Sequence, residues 1–227
     1  MTKPAWKDVD AFVFDAYGTL FDVHSVATLA DTLVPGRGAE LSRLWRAKQL
    51  EYSWLTSLMQ GPAHPREDFT RVTATALAYA VEALVLPLGP ADQQRLCAAY
   101  ASLAPFPEVR ATLAALAPRP RWILTNGTAA AMAPLVRHAG LDALLDGVLS
   151  VDEVDVYKPA QRVYALACER LSLPAERIGF VSANGWDAIG ARVYGFTTFW
   201  VNRSGTPVDR HGPPPHHVLG SLAELGA

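Results

Sequence analysis

The residues with the clearest capacity for chemistry stand at the end of an apolar, β-prone run. Val9–Asp10–Ala11–Phe12–Val13–Phe14 leads directly into Asp15, with Gly18 and Thr19 close behind. A carboxylate at the carboxyl end of a buried strand lies where open α/β sheets bind their ligands. Gly18 permits a tight turn there, and Thr19 brings a hydroxyl near the carboxylate. The plainer account is an ordinary strand followed by an Asp that caps a helix. Three further polar clusters fall at or just beyond predicted strand ends: Thr125–Asn126, Lys158 with Tyr164, and Ser182–Asn184–Asp187. Taken singly, Thr125 and Ser182 are ordinary N-caps and Lys158 a surface charge. Together they gather a carboxylate, a lysine, a second carboxylate and several amide or hydroxyl donors on one sheet edge. No phosphate-binding Gly-rich loop, His-Glu-x-x-His or nucleophile elbow is present. Asp15 is therefore the candidate nucleophile, and a carboxylate nucleophile forms an ester-like covalent intermediate.

The elements that must position these groups follow from periodicity. Residues 23–102 run in helical periods without strand-like alternation. Val26, Leu29, Ala30 and Leu33 share a face of a first helix, ended by Pro35–Gly36. Leu41, Leu44, Trp45, Leu50, Trp54, Leu55 and Leu58 mark a long second one, stopped by Gly61–Pro62. Phe69, Val72, Ala76, Leu77 and Ala80 mark a third, and a fourth is predicted from Asp92 to Leu103. Arg46 stands among apolar neighbours on the second helix, which a simple bundle does not explain. From Glu108 onward helices and strands alternate. Strands are predicted at 121–125, 147–150, 178–182 and 197–201, and helices at 108–117, 129–139, 161–171 and 186–194. That alternation implies a parallel sheet with helices on both faces. The fold class is thus α/β: a Rossmann-like core, residues 1–21 and 104–227, with an inserted all-helical cap of four helices, residues 22–103. Residues 206–217, including Pro213–Pro214–Pro215 and His216–His217, are expected to form a tail or loop with solvated histidines.

Composition excludes several classes. A chain of 227 residues, half of them hydrophobic, can bury a full core, as one large domain or as a core with an insert. Its net charge of −2 argues against a nucleic-acid or anionic-membrane surface. No apolar run is long enough to span a membrane, and Met1–Thr2–Lys3–Pro4 lacks a signal-peptide core. Cys97 and Cys168 show no metal-like spacing, so a reducing cytoplasmic location is expected.

Four motifs carry a resemblance to a known family. The chain resembles the L-2-haloacid dehalogenases, a branch of the haloacid dehalogenase superfamily. Phe14–Asp15–Ala16–Tyr17–Gly18–Thr19–Leu20–Phe21–Asp22–Val23 matches the family's opening motif, and Leu44–Trp45–Arg46–Ala47–Lys48–Gln49–Leu50–Glu51–Tyr52 looks like its cap-helix motif. Val156–Tyr157–Lys158–Pro159 with Arg162–Val163–Tyr164 looks like its lysine motif, and Phe180–Val181–Ser182–Ala183–Asn184–Gly185–Trp186–Asp187 its last. They occur in the family's order across residues 9–200. Superfamily phosphatases place a second Asp two residues after the nucleophile as general acid; here that residue is Tyr17. A departing halide needs no proton, whereas a leaving alkoxide does. Carbon–halogen cleavage is therefore the favoured activity. A superfamily phosphatase and a non-catalytic small-molecule binder stay as alternatives.

The resemblance implies a mechanism. Asp15 attacks C2 of a short L-2-haloacid opposite the halogen, and water then hydrolyses the ester. Lys158 beside Asp15 favours the carboxylate form. Thr19, Ser182 and Asn184 orient the nucleophile, Tyr164 belongs to the lysine motif, and Asp187 orients or deprotonates water. Backbone N–H groups near Ala16–Tyr17, with Thr125–Asn126, take the substrate carboxylate. Arg46, Asn126 and Trp186 cradle the halide, and Tyr17, Leu50, Phe69 and Trp186 enclose the alkyl group. No metal and no cofactor are expected. The family also implies a homodimer formed through the cap, with Trp54 or Leu58 exposed for it. Thr125 stands where the family usually has Ser, and Ala47 and Ala160 where polar residues are common. The loop from Gly61 to Asp68 has an unusual composition ahead of Phe69.

Overall fold

The computed structural model describes residues 8–226; Met1–Pro4, considered above for a leader, lies outside them. Six parallel strands form one sheet: β1 (Ala11–Phe14), β2 (Arg121–Thr125), β3 (Gly147–Ser150), β4 (Ile178–Ser182), β5 (Thr197–Val201) and β6 (His217–Leu219). Their order is β3-β2-β1-β4-β5-β6. β1 is central and all four of its residues are buried, because helices cover both faces of a parallel sheet. Phe14 pairs in register with Ile123 on one side and Val181 on the other. The next residue along, Asp15, therefore emerges level with Ser182 at the crevice where the strand order reverses.

The insert that follows β1 holds four helices: α1 (His24–Leu33), α2 (Gly38–Met59), α3 (Phe69–Ala83) and α4 (Pro90–Ala99), the last continuing as a 3₁₀ turn, Tyr100–Ser102. On α2, Leu41, Trp45, Gln49 and Ser53 recur every fourth residue and are buried, so the stripe that packs on α3 turns from apolar to polar along its length. The Asp68 side chain caps α3 by accepting from the Arg71 N–H. After the insert come α5 (Val109–Ala115), α6 (Ala129–His138), α7 (Gln161–Leu171) and α8 (Gly185–Tyr194). A Cβ at Gly190 on α8 would lie 2.7 Å from the side chains of both Pro159 and Tyr164, so only glycine lets α8 approach the lysine loop this closely.

Insert and sheet meet along a seam on one side of the crevice. There Arg66 places Nε 2.8 Å from Asp155 and Nη2 2.7 Å from Asp152, while its guanidinium lies 4.8 Å from the centre of the Tyr157 ring. The Tyr157 hydroxyl donates to the Glu67 carbonyl at 2.6 Å, and the Tyr157 N–H donates to Ser57 Oγ at 3.0 Å.

Three expectations need correction. The region 206–217 is not all tail, because His217 opens the short edge strand β6. Its histidines are engaged: the Thr198 N–H donates to His216 Nδ1 at 3.1 Å, and the His217 ring stacks on Phe199 at 4.7 Å. The fourth helix ends at Ala99, where the chain tightens into the 3₁₀ turn. Trp54 is not exposed: its ring packs edge-on against Trp186 at 5.5 Å. Leu58, by contrast, is 81% exposed. Among the described residues no helix is long and apolar enough to cross a membrane.

Candidate active site

Asp15 is held by four groups from three stretches of chain. Oδ1 accepts from Lys158 Nζ at 3.0 Å. Oδ2 accepts from Thr19 Oγ1 at 2.8 Å, Asn184 Nδ2 at 2.9 Å and, more distantly, Ser182 Oγ at 3.5 Å. Thr19 is fixed in turn by the Ala183 N–H, which donates to its hydroxyl at 2.8 Å. Lys158 Nζ also reaches Asp187 Oδ2 at 3.0 Å, so one ammonium bridges two carboxylates. Asp187 accepts further from Ser182 Oγ at 3.0 Å and from the Tyr164 hydroxyl at 2.8 Å. All seven residues expected at the centre thus come together, with Tyr164 acting on Asp187 rather than on Asp15.

Burial sets the electrostatics. Lys158 and Asp187 are essentially inaccessible and Asp15 is 7% exposed, so their mutual attraction is weakly screened. Burial works against the Lys158 charge, yet the adjacent Asp15 and Asp187 carboxylates hold its pKa above the ordinary lysine value. Burial pushes the Asp187 carboxyl up, against the pull of Lys158. The Tyr164 hydroxyl is raised well above its usual value by burial and by Asp187, so it stays a donor. The Tyr17 phenol is likewise raised by burial, and it therefore keeps its proton. Among the described residues no group of three or more His, Cys, Asp or Glu side chains is placed to hold a metal ion. The space between the two carboxylates holds the Lys158 ammonium.

Five of the expected substrate-binding residues, Tyr17, Phe69, Arg46, Leu50 and Trp186, line two cavities. Tyr17 and Phe69 stack at 6.1 Å and line an apolar cavity of about 340 Å³ beside Gly127, Tyr100 and α6. A Cβ at Gly127 would come within 3.0 Å of the Tyr17 ring, so glycine there lets the ring lie against the backbone. Leu50 and Trp186 instead share a cleft of about 740 Å³ with Arg46 and Asn184. The four residues expected to form a single alkyl pocket, Tyr17, Leu50, Phe69 and Trp186, thus line two cavities in pairs. Arg46 reaches in from α2, with Nη2 3.4 Å from Asn184 Oδ1 and Nη1 2.6 Å from Gln49 Oε1. Trp186 carries a buried indole N–H without an acceptor among the described residues.

Asp15 donates its N–H to Val181, whereas among the described residues the N–H groups of Ala16 and Tyr17 make no bond within the chain. Thr125 accepts from the Gly127 N–H at 2.9 Å, which leaves its own O–H to donate. Asn126 accepts from the Lys158 N–H at 3.0 Å through its amide oxygen, which leaves the NH₂ group as donor. Gln49 and the Ala183 N–H were missed. The signal for Gln49 was its spacing: it lies one turn beyond Arg46 on the same face of α2.

A carboxylate on β1, a lysine after β3 and a second carboxylate at the start of α8, beneath a helical insert, define a hydrolase class. The family model described as haloacid dehalogenase-like hydrolase matches residues 9–195. The chain belongs to that family. It is similar to the (S)-2-haloacid dehalogenase of Pseudomonas sp. strain YL, with 46% identity over 94% of this chain and 91% of that one. Among solved structures, one named as an L-2-haloacid dehalogenase shares 45% identity at a TM-score of 0.92, covering 96% of this chain and 97% of that one. Another, L-2-haloacid dehalogenase from Xanthobacter autotrophicus with chloropropionic acid covalently bound, shares 38% identity at a TM-score of 0.87, with 96% and 97% covered.

Proposed function

We propose that this protein hydrolyses short L-2-haloacids to D-2-hydroxyacids and halide through an ester on Asp15. The observation that carries this is the pairing of Asp15, fixed by four donors, with Arg46, an arginine whose two partners are both neutral amide oxygens. One group supplies the nucleophile and the other a positive charge without a matching carboxylate, as displacement of an anionic leaving group needs. The names of the relatives and the chloropropionic acid complex support the same reaction.

In the first step an Asp15 carboxylate oxygen forms a bond to C2 while the carbon–halogen bond breaks and its electron pair leaves with the halide. Attack from the face opposite the halogen inverts C2. Thr19, Asn184, Ser182 and Lys158 hold the carboxylate so that little reorganisation remains. The N–H groups of Ala16 and Tyr17, with Thr125 and Asn126, take the substrate carboxylate. Arg46 and the indole N–H of Trp186 meet the halide as its charge develops. Tyr17 and Phe69 on one side, and Leu50 and Trp186 on the other, enclose the alkyl group. In the second step water attacks the ester carbonyl of Asp15. Asp187, made more basic by burial, accepts its proton and returns it to the departing alkoxide oxygen as the tetrahedral intermediate collapses. The 2-hydroxyacid leaves, and the second water proton passes from Asp15 to solvent, restoring both carboxylates. Lys158 supplies the positive charge beside the nucleophile, so no metal is required.

The α1–α4 helices act as a cap over residues 22–103, and the remaining residues form the catalytic core. Exposed Leu58 and Met59, 81% and 57% accessible at the end of α2, support a homodimer formed through the cap. The unpaired Cys97 and Cys168 support a cytoplasmic location.

The test is halide release from the separate enantiomers of 2-chloropropionate, beside phosphate release from an aryl phosphate. The L form should be consumed and yield D-lactate, with the D form and the phosphate ester untouched. One turnover with excess enzyme in heavy-oxygen water should place label in the Asp15 carboxylate. Label found only in the product would mean that water attacks C2 directly. Phosphate release without halide release would favour the phosphatase alternative.

A further inference from the structure

A continuous line of side-chain hydrogen bonds runs from α3 to the nucleophile. Thr73 Oγ1 donates to the Phe69 carbonyl at 2.6 Å, and Gln49 Nε2 donates to Thr73 Oγ1 at 2.6 Å. Gln49 Oε1 accepts from Arg46 Nη1 at 2.6 Å, and Arg46 Nη2 reaches Asn184, which donates to Asp15. Gln49 is fully buried, and its amide uses one end as acceptor and the other as donor. Reversed, the amide would set its NH₂ against the guanidinium, which has only donors. The Thr73 hydroxyl, whose proton goes to a carbonyl, fixes which way the amide lies. Trp45 Nε1 donates to the Thr73 carbonyl at 2.8 Å and ties the same turn of α3 to α2.

We propose that Gln49 is the positioning residue that aims Arg46 at the leaving halide while leaving its charge uncompensated. Two properties of the side chain are needed at once. Its oxygen holds Nη1 in a fixed direction, and its neutrality keeps the guanidinium charge available to an anion. Glutamate at the same position would accept the same hydrogen bond but pair with Arg46 one turn away on α2, competing with halide. Leucine would leave the charge but remove the aim. The inference rests on the dehalogenase function proposed above and assigns the cap a specific part in it.

Two variants separate the two properties. Gln49→Leu should lower kcat for L-2-chloropropionate about tenfold or more, since a hydrogen bond to a charged group is lost, with KM little changed. Gln49→Glu should lower kcat and also weaken inhibition by added bromide, a direct reading of anion affinity at Arg46. Thr73→Val should reproduce the Gln49→Leu loss in milder form, and Thr73→Ser should restore it. Should Gln49→Leu fail to fold, Gln49→Glu and the Thr73 pair give the same reading. Wild-type kcat and bromide inhibition in both Gln49→Glu and Thr73→Val, whatever their melting temperatures, would overturn the proposal and leave Gln49 a packing residue. Absence of halide release by the unaltered protein would instead overturn the parent function, so the two failures are distinguishable.

Discussion

Arg66 and Arg46 both belong to the insert, both are partly or largely buried, and both reach across to residues of the sheet domain. Arg66 meets Asp152 and Asp155 and stacks on Tyr157. Its charge is matched by two carboxylates, and its pKa lies above the usual value because those hydrogen bonds outweigh the effect of burial. Arg46 meets the amide oxygens of Gln49 and Asn184. The same residue type, in the same unit, is thus charge-matched in one place and left with amide partners only in the other, where we propose that it binds an anion. The difference lies in the partners. A carboxylate partner consumes the positive charge, whereas an amide orients it and leaves it.

The largest expected effect comes from Arg46. Arg46→Lys keeps a positive charge but loses the planar fork. It should reduce kcat roughly a hundredfold, the range of about 3 kcal/mol found for a preorganised donor, without changing thermal stability. A near wild-type rate would put Arg46 in the same structural category as Arg66 and break the contrast.

Arg66→Met is the converse substitution, and it keeps much of the packing on Tyr157. Its partners Asp152 and Asp155 are 34% and 59% accessible at the side chain. Water screens them, so the loss of folding stability should be roughly 1–2 kcal/mol rather than that of a deeply buried pair. Urea unfolding measures it. The fall in kcat should be much smaller than for Arg46→Lys; a larger one would show that the seam steers Lys158 through Tyr157.

A smaller effect sharpens the contrast from the core side. With Asp187 as the base of the proposed second step, the acidic limb of kcat reports its ionisation. Burial raises its pKa, so the carboxylate is lost on falling pH earlier than an ordinary Asp would be. The limb should stand above the usual carboxylate range. Tyr164→Phe removes a hydrogen bond that favours ionised Asp187 and should move the limb further upward. A limb at the ordinary carboxylate value would remove Asp187 as the base. The smallest effect is none: exhaustive chelation should leave halide release unchanged, and recovery on adding Mg²⁺ would contradict the role given to Lys158.

Much of this was legible in the residues. Strands β1 to β5 announced themselves as short, mostly apolar runs between helical segments, as expected of a sheet buried on both faces. β6 did not. Three residues after a proline run carry no alternation, and their place depends on Thr198 and Phe199, which are distant in sequence. The central cluster was legible because Asp15, Lys158 and Asp187 follow the carboxyl ends of β1, β3 and β4, where topology alone predicts convergence. The cap was less so. Arg46 stood out as a charge on an apolar stripe, but Gln49 resembled any polar helical residue, and Arg66 had no visible partner until Asp152 and Asp155 folded against it. The pairing of Tyr17 and Phe69 in one cavity, beside Gly127, rests on contacts between distant segments that no spacing within a single segment reveals.

The Lys158 bridge has a consequence for the settings in which this chemistry can run. A dissolved cation occupies its site in proportion to its free concentration, and it exchanges with competitors. The Lys158 ammonium is attached to the chain, buried between Asp15 and Asp187, and its occupancy is complete as soon as the fold is. Under the proposed mechanism, catalytic readiness is then set at translation rather than by supply, and it should not fall when magnesium is scarce. The same attachment would remove a control: a centre without an exchangeable ion offers no lever for regulation by ion availability.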